Sequence, residues 1–149
     1  MNIKIKFRGK KVENGEWVYG SLVETNKDNK AFILDCDFSE IATVWNEKET
    51  RTLSSDHLKI IEVDPKTVGQ FSGVLFNPKT EIYEGDIIGH ETLRPKAHLR
   101  KGIVKFENGC FDVFWQDGHV DELYSIKFRN MGFLGSIHDE ENKTLDFSD

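Results

Sequence analysis

Apolar and polar positions alternate with a period of two along much of this chain, the mark of strands with one face buried and the other in water. Ile3, Ile5 and Phe7 interleave with Lys4, Lys6 and Arg8, which predicts a strand with a cationic wet face. Lysines on such a face also discourage pairing with a foreign strand. Asn14-Gly15 suits a turn with positive φ, so residues 17–22 are expected to return as the hairpin partner. Residues 31–34 and 41–45 read as two further strands around the polar DCDFSE segment. Ser54-Ser55-Asp56 is expected to cap a short helical turn before a strand at 58–63.

Residues 64–88 set the rhythm of the second half. Asp64-Pro65 opens as a turn, because proline presets its own φ and pushes the preceding residue out of the helical region. An extended run through Gly69, Phe71 and Gly73 follows, Asn77-Pro78 reverses the chain into 80–83, and Glu84-Gly85-Asp86 turns it again into Ile87-Ile88. Residues 102–115 give the clearest local prediction. With Asn108-Gly109 as a two-residue loop, Phe106 falls opposite Phe111 and Val104 opposite Val113, while Lys105 meets Asp112 on the other face. A slip of one residue would destroy every one of those pairs.

A further turn is expected at 115–120, a strand at 123–128, and a last strand at 131–137. No long helix emerges. The fold class predicted is all-β, or β-rich with one or two short helical turns, built as a strongly bent antiparallel sheet or a small SH3-like barrel core. Residues 1–63 are expected to form N-terminal β hairpins packing on the core and 64–137 the SH3-like barrel portion. Residues 138–149 are expected to form an acidic tail, frayed or ordered by a neighbour.

Two motifs in the middle of the chain carry a family resemblance. Thr67-Val68-Gly69-Gln70-Phe71-Ser72-Gly73, followed eight residues on by Glu81-Ile82-Tyr83-Glu84-Gly85-Asp86-Ile87-Ile88, resembles the signature of the YopX family, small proteins carried mainly by bacteriophages and prophages. The opening KFRGKKVENGEWVYGSL, residues 6–22, and GSIHDEEN near the end are similar to the start and close of family members. The chain departs from the family at residues 74–79, where members often place a Lys-Asp-x-x-Gly-Lys turn. The resemblance implies no activity, because the family is of unknown biochemical function and offers no catalytic residues to carry over.

At 149 residues the chain is long enough to bury a core without staples. Its two cysteines, Cys36 and Cys110, lack any Cys-x-x-Cys spacing and read as reduced residues of a protein in the cytoplasm of a bacterial host. No run approaches the roughly 20 apolar residues that a membrane span needs, and the first residues lack an apolar signal region. A net charge of −6 repels a polyanion overall, which disfavours nucleic acid as a partner. The exception is the segment 89–101, where Arg94, Lys96, Arg100 and Lys101 accompany His90 and His98. Those four cations are the candidate contact with a partner or a phosphate.

Catalytic constellations are not evident. Asp35, Asp37 and Glu40 lack calcium-loop spacing, and the five histidines lack the short spacings of zinc sites. Glu84 and Asp86 read as turn formers bonding nearby amides rather than as a catalytic pair. Cys110 has no evident activating cation or helix terminus. No catalytic, cofactor or metal residues are therefore assigned.

Three function classes remain. The favoured one is a non-enzymatic phage or prophage accessory protein acting through protein contacts or its own assembly. The alternatives are a small-barrel nucleic-acid-binding protein using the 94–101 loop, and an enzyme whose site is assembled from dispersed residues.

Overall fold

The computed structural model describes residues 4–25, 28–36, 58–91 and 99–143, and every regular element longer than a single 3-10 turn is a β-strand. The all-β expectation holds. The strands lie in open antiparallel sheets with no closed barrel, so of the two forms expected for the core the barrel is not observed. Two compact units divide the chain, Lys4–Gly69 and the residues from Gln70 onward.

In the N-terminal unit, β1 (Phe7–Lys10), β2 (Trp17–Thr25), β3 (Lys30–Cys36) and β4 (Leu58–Val63) pair antiparallel in the order β4-β3-β2-β1. The Asn14-Gly15 hairpin is present, with Gly15 at φ 72° and its N–H donating to Lys11 O at 2.9 Å. The inner face buries Val18, Ala31, Ile33 and Val63, with Phe7, Leu22, Ile61 and Val68 packed against them. Just past β1 the chain turns back onto β4. A single antiparallel bridge joins Lys11 to Val63, and Val12 N–H donates to Glu62 O at 3.1 Å.

The first strand is shorter than its alternation suggested. Pairing begins at Phe7, Ile5 is 68% exposed, and Arg8 from the expected wet face is buried. The reason is aromatic cover. Arg8 pairs with Tyr19 across the strands and its guanidinium lies 4.4 Å from the centre of the Trp17 ring, so its stem and head are shielded by the partner strand.

The C-terminal unit opens with the hairpin of β5 (Gly69–Asn77) and β6 (Thr80–Tyr83). It continues in β7 (Asp86–Glu91), β8 (Leu99–Glu107), β9 (Cys110–Trp115), β10 (Val120–Glu122) and β11 (Met131–Ser136), which form a sheet in the order β10-β9-β8-β7-β11. The register of β8 and β9 matches the sequence prediction pair for pair: Val104 with Val113, Lys105 with Asp112, Phe106 with Phe111. Asn108 and Gly109 both carry positive φ, as a two-residue loop with the twist of its flanking strands requires. Ile82, Ile88, Val104, Val113, Trp115 and Leu123 make the core of this unit.

One expected strand is absent. Residues 123–125 form a 3-10 turn closed by Ile126 N–H donating to Leu123 O at 3.2 Å, and residues 126–128 pair with no strand. Ile126 and Phe128 still pack against the core, so the apolar alternation reported burial correctly while the ladder partner it implied does not exist. The expected strand at 41–45, the DCDFSE turn from Asp37 and the cap at 54–56 lie outside the described residues.

Candidate interaction surface

The two central motifs are occupied with architecture. Asp64 caps the 3-10 turn Pro65–Thr67 by accepting from Lys66 N–H at 3.0 Å. Thr67 then links that turn to β1: its Oγ1 accepts from Lys10 N–H at 2.8 Å and donates to Asp64 O at 2.7 Å. Gly73 sits at φ 80° where the β5–β6 register shifts, and Ser72 Oγ bridges the irregularity, donating to Ile82 O at 2.7 Å and accepting from Val74 N–H at 3.2 Å. These are the duties of a β-bulge, in which freed backbone groups need local partners.

The Glu-Gly-Asp turn is a second knot. Asp86 is fully buried, and its Oδ2 accepts from Tyr83 N–H at 2.8 Å, as expected of a turn former. Gly85, at φ 84°, donates to Val104 O at 2.8 Å and accepts from Ile137 N–H at 2.9 Å and Ser136 Oγ at 3.3 Å. The GSIHDEEN segment completes it. Asp139 Oδ2 accepts from Ser136 N–H at 2.8 Å, and Asn142 Nδ2 donates to Leu134 O at 2.8 Å and Ser136 O at 3.0 Å. Ser136 Oγ, the Asp86 and Asp139 carboxylates and the Asn142 amide each bond main-chain groups.

Of the four candidate cations, Arg94 and Lys96 lie outside the described residues, as do His98 and the side chain of His90. Arg100 and Lys101 sit side by side on β8 and are only partly exposed. Arg100 stacks 4.5 Å from the Trp115 ring centre and donates through Nη2 to Asp117 Oδ1 at 3.0 Å. Its Nε lies 2.9 Å from Asp117 Oδ2 but off the line a hydrogen bond needs, so that half of the contact is ionic. The His119 amide, more than the Arg100 charge, holds the Asp117 carboxyl below its ordinary pKa. Behind this pair, Trp115 Nε1 donates to Asp121 Oδ2 at 2.7 Å, and His119 Nε2 lies 3.1 Å from Asp121 Oδ1. None of this was visible in a sequence without long-range register.

Cys110 is exposed at the β8–β9 loop, donating weakly to Glu107 O at 3.4 Å and Asp112 Oδ2 at 3.5 Å. Local desolvation and then the Asp112 carboxylate raise its pKa, the opposite of what a nucleophilic thiol needs. Among the described residues no group of three or more His, Cys, Asp or Glu side chains is placed to hold a metal ion. No helix among them is long and apolar enough to cross a membrane.

The feature that the sequence did not single out is the outer face of the N-terminal sheet. Directly paired residues share a face, which places Tyr19 beside Arg8, Leu34 between Ser21 and Ile60, and Phe32 between Val23 and Glu62. Ile60 is 63% exposed, Val23 47% and Tyr19 44%, with Phe32 and Leu34 half-buried among them. Scattered surface hydrophobics need no explanation, whereas side chains continuous across three strands are the kind of patch that marks a contact site.

A family model described as YopX protein matches residues 6–144, nearly the whole length. The chain belongs to the YopX family. Its central motifs, which suggested that membership, are the two hydrogen-bonded knots described above. No curated protein matches the chain. Among solved structures, the crystal structure of protein EF1440 from Enterococcus faecalis is similar over 96% of this chain and 98% of that one, at 18% identity and a TM-score of 0.46.

Proposed function

We propose that this YopX-family protein works by surface contact rather than by catalysis, as an accessory protein of a phage or prophage in the cytoplasm of its bacterial host. The observation that carries the reading is the outer face of the N-terminal sheet, where Tyr19 and Val23 on β2 and Ile60 on β4 are exposed and Phe32 and Leu34 of β3 lie between the two strands. Aromatic and aliphatic side chains held on a rigid sheet lose little entropy when covered, which suits them to anchor a protein partner. Thr67, Ser72, Asp86 and Asp139 in the family motifs support the reading from the other direction, since each bonds a main-chain group of the fold.

The nucleic-acid alternative rests on the 94–101 loop, and Arg100 serves it poorly with its charge balanced by Asp117. Affinity capture of the full chain from host lysate, with and without nuclease, separates the two. Retention of a protein partner that survives nuclease and is lost in Ile60→Glu at unchanged melting temperature supports the proposal. A strict monomer that retains nothing counts against it, and retention lost on nuclease treatment favours the alternative.

A further inference from the structure

The sequence contains one tripeptide twice, Glu13-Asn14-Gly15 and Glu107-Asn108-Gly109, and the fold treats the two copies differently. Each lies at the turn of a hairpin, β1–β2 and β8–β9, and each asparagine is exposed. An asparagine side chain before glycine is open to attack by the next backbone nitrogen, because glycine has no Cβ to crowd the approach. Steric access is equal here, since nothing lies within 4 Å of where a Cβ would stand on either Gly15 or Gly109.

Bonding is not equal. Asn14 Oδ1 accepts from Glu16 N–H at 3.0 Å, and Asn14 Nδ2 donates to Glu16 Oε2 at 3.0 Å. That carboxylate is itself held by Lys11 Nζ at 3.2 Å, and Gly15 N–H donates to Lys11 O at 2.9 Å. Both the nitrogen that would attack and the amide that would receive it are therefore tied. At the second copy the ladder ends with the Glu107–Cys110 pair, so Asn108 and Gly109 lie beyond it, at φ 53° and 86°. Among the described residues no hydrogen bond ties the Asn108 side chain.

From that contrast we infer that Asn108 is a site of self-modification, which deamidates and isomerises in the folded protein while Asn14 is protected. Gly109 N gives its proton to solvent base and attacks Asn108 Cγ. The N–Cγ bond forms, the Cγ–Nδ2 bond breaks, and ammonia leaves a cyclic succinimide. Water opens the ring at one carbonyl to give aspartate, or at the other to give isoaspartate, whose main chain runs on through Cβ and Cγ. Ammonia is lost and water gained, with no oxidant or reductant. Ring closure requires the backbone at the asparagine to swing out of its turn, and at Asn14 three hydrogen bonds must break first. Bonds of ordinary strength slow such a step by at least about tenfold together. Isoaspartate lengthens by one methylene a loop whose two residues fix the register of β8 on β9, so the product weakens that sheet. Aspartate keeps the length and tolerates positive φ.

The test is peptide mapping by mass spectrometry, with fragmentation that separates aspartate from isoaspartate, on the purified full chain held for days at mildly alkaline pH, either folded or in concentrated urea. In urea the two copies are expected to react at similar rates. In the folded chain Asn108 is expected to react at least about tenfold faster than Asn14. Glu16→Ala is expected to speed reaction at Asn14, and Asn108→Gln to end ammonia release from the β8–β9 loop. Aged wild-type protein is expected to melt below fresh protein, with fresh Asn108→Asp close to wild type. Folded protein that stays unmodified at Asn108 while the urea sample turns over overturns the inference, as does Asn14 keeping pace with Asn108 in the folded chain. Aged protein that carries isoaspartate at position 108 and melts as fresh protein does overturns the claim that the product weakens the sheet.

Discussion

Gly9 lies directly against Val63: a Cβ built on Gly9 would stand 2.9 Å from the Val63 Cβ and 2.9 Å from its Cγ2. The bridge from Lys11 to Val63 brings the end of β1 onto β4, and only hydrogen at Gly9 lets the inner face close at that point. Gly9→Ala is expected to cost about 1–3 kcal/mol by overpacking, measured by denaturant unfolding. The same change in a Val63→Ala background is expected to cost less, since the truncated side chain makes room.

Thr67 holds the motif turn to β1 with one hydroxyl that both accepts and donates. Thr67→Val keeps the shape and removes both bonds, leaving the Lys10 amide without that acceptor. A loss of about 1–3 kcal/mol is expected, with Thr67→Ser recovering most of it.

Asp86 is fully buried and accepts the Tyr83 amide. Asp86→Ala leaves that donor unsatisfied and opens a void, so a loss of at least about 2 kcal/mol is expected in the same assay. Capture of a partner by the fraction that remains folded is expected to be unchanged, because this side chain faces the interior.

Asp117 supplies a pH dependence with a definite sign. Its folded pKa is lowered by the His119 amide and by Arg100. A carboxyl with a depressed folded pKa stabilises above its unfolded value, about 3.9, and loses that contribution as pH falls through the lower folded value. Melting temperature followed from about pH 6 to about pH 2 is expected to fall less steeply in Asp117→Asn than in wild type at the acid end. Asp117 is well exposed, so the difference is expected to be small.

Elements whose partners lie close in sequence were legible. The hairpin around Asn108-Gly109 could be registered to the residue because turn chemistry and both faces agreed, and the strand at 80–83 was bracketed by Asn77-Pro78 and Gly85. Residues 123–128 were misread because inward-facing Ile126 and Phe128 produce the same alternation whether or not a ladder partner exists. The cationic strand was half understood. Alternation revealed its charge, but the burial of Arg8 depends on Trp17 and Tyr19 across the hairpin. The exposed face that holds Tyr19, Val23 and Ile60 was hidden for a related reason, since it exists only once three strands are registered. The commitment of Arg100 to Asp117 spans seventeen positions and left no local trace.

Partner retention by a surface variant and a motif variant, compared side by side and normalised to folded protein, tests most directly whether contact lies on the sheet face and the motifs serve architecture alone. Ile60→Glu is expected to keep the wild-type melting temperature and lose retention, while Asp86→Ala is expected to lose stability and keep retention. The reverse pattern, in which folded Asp86→Ala fails to retain a partner that Ile60→Glu still holds, would contradict it.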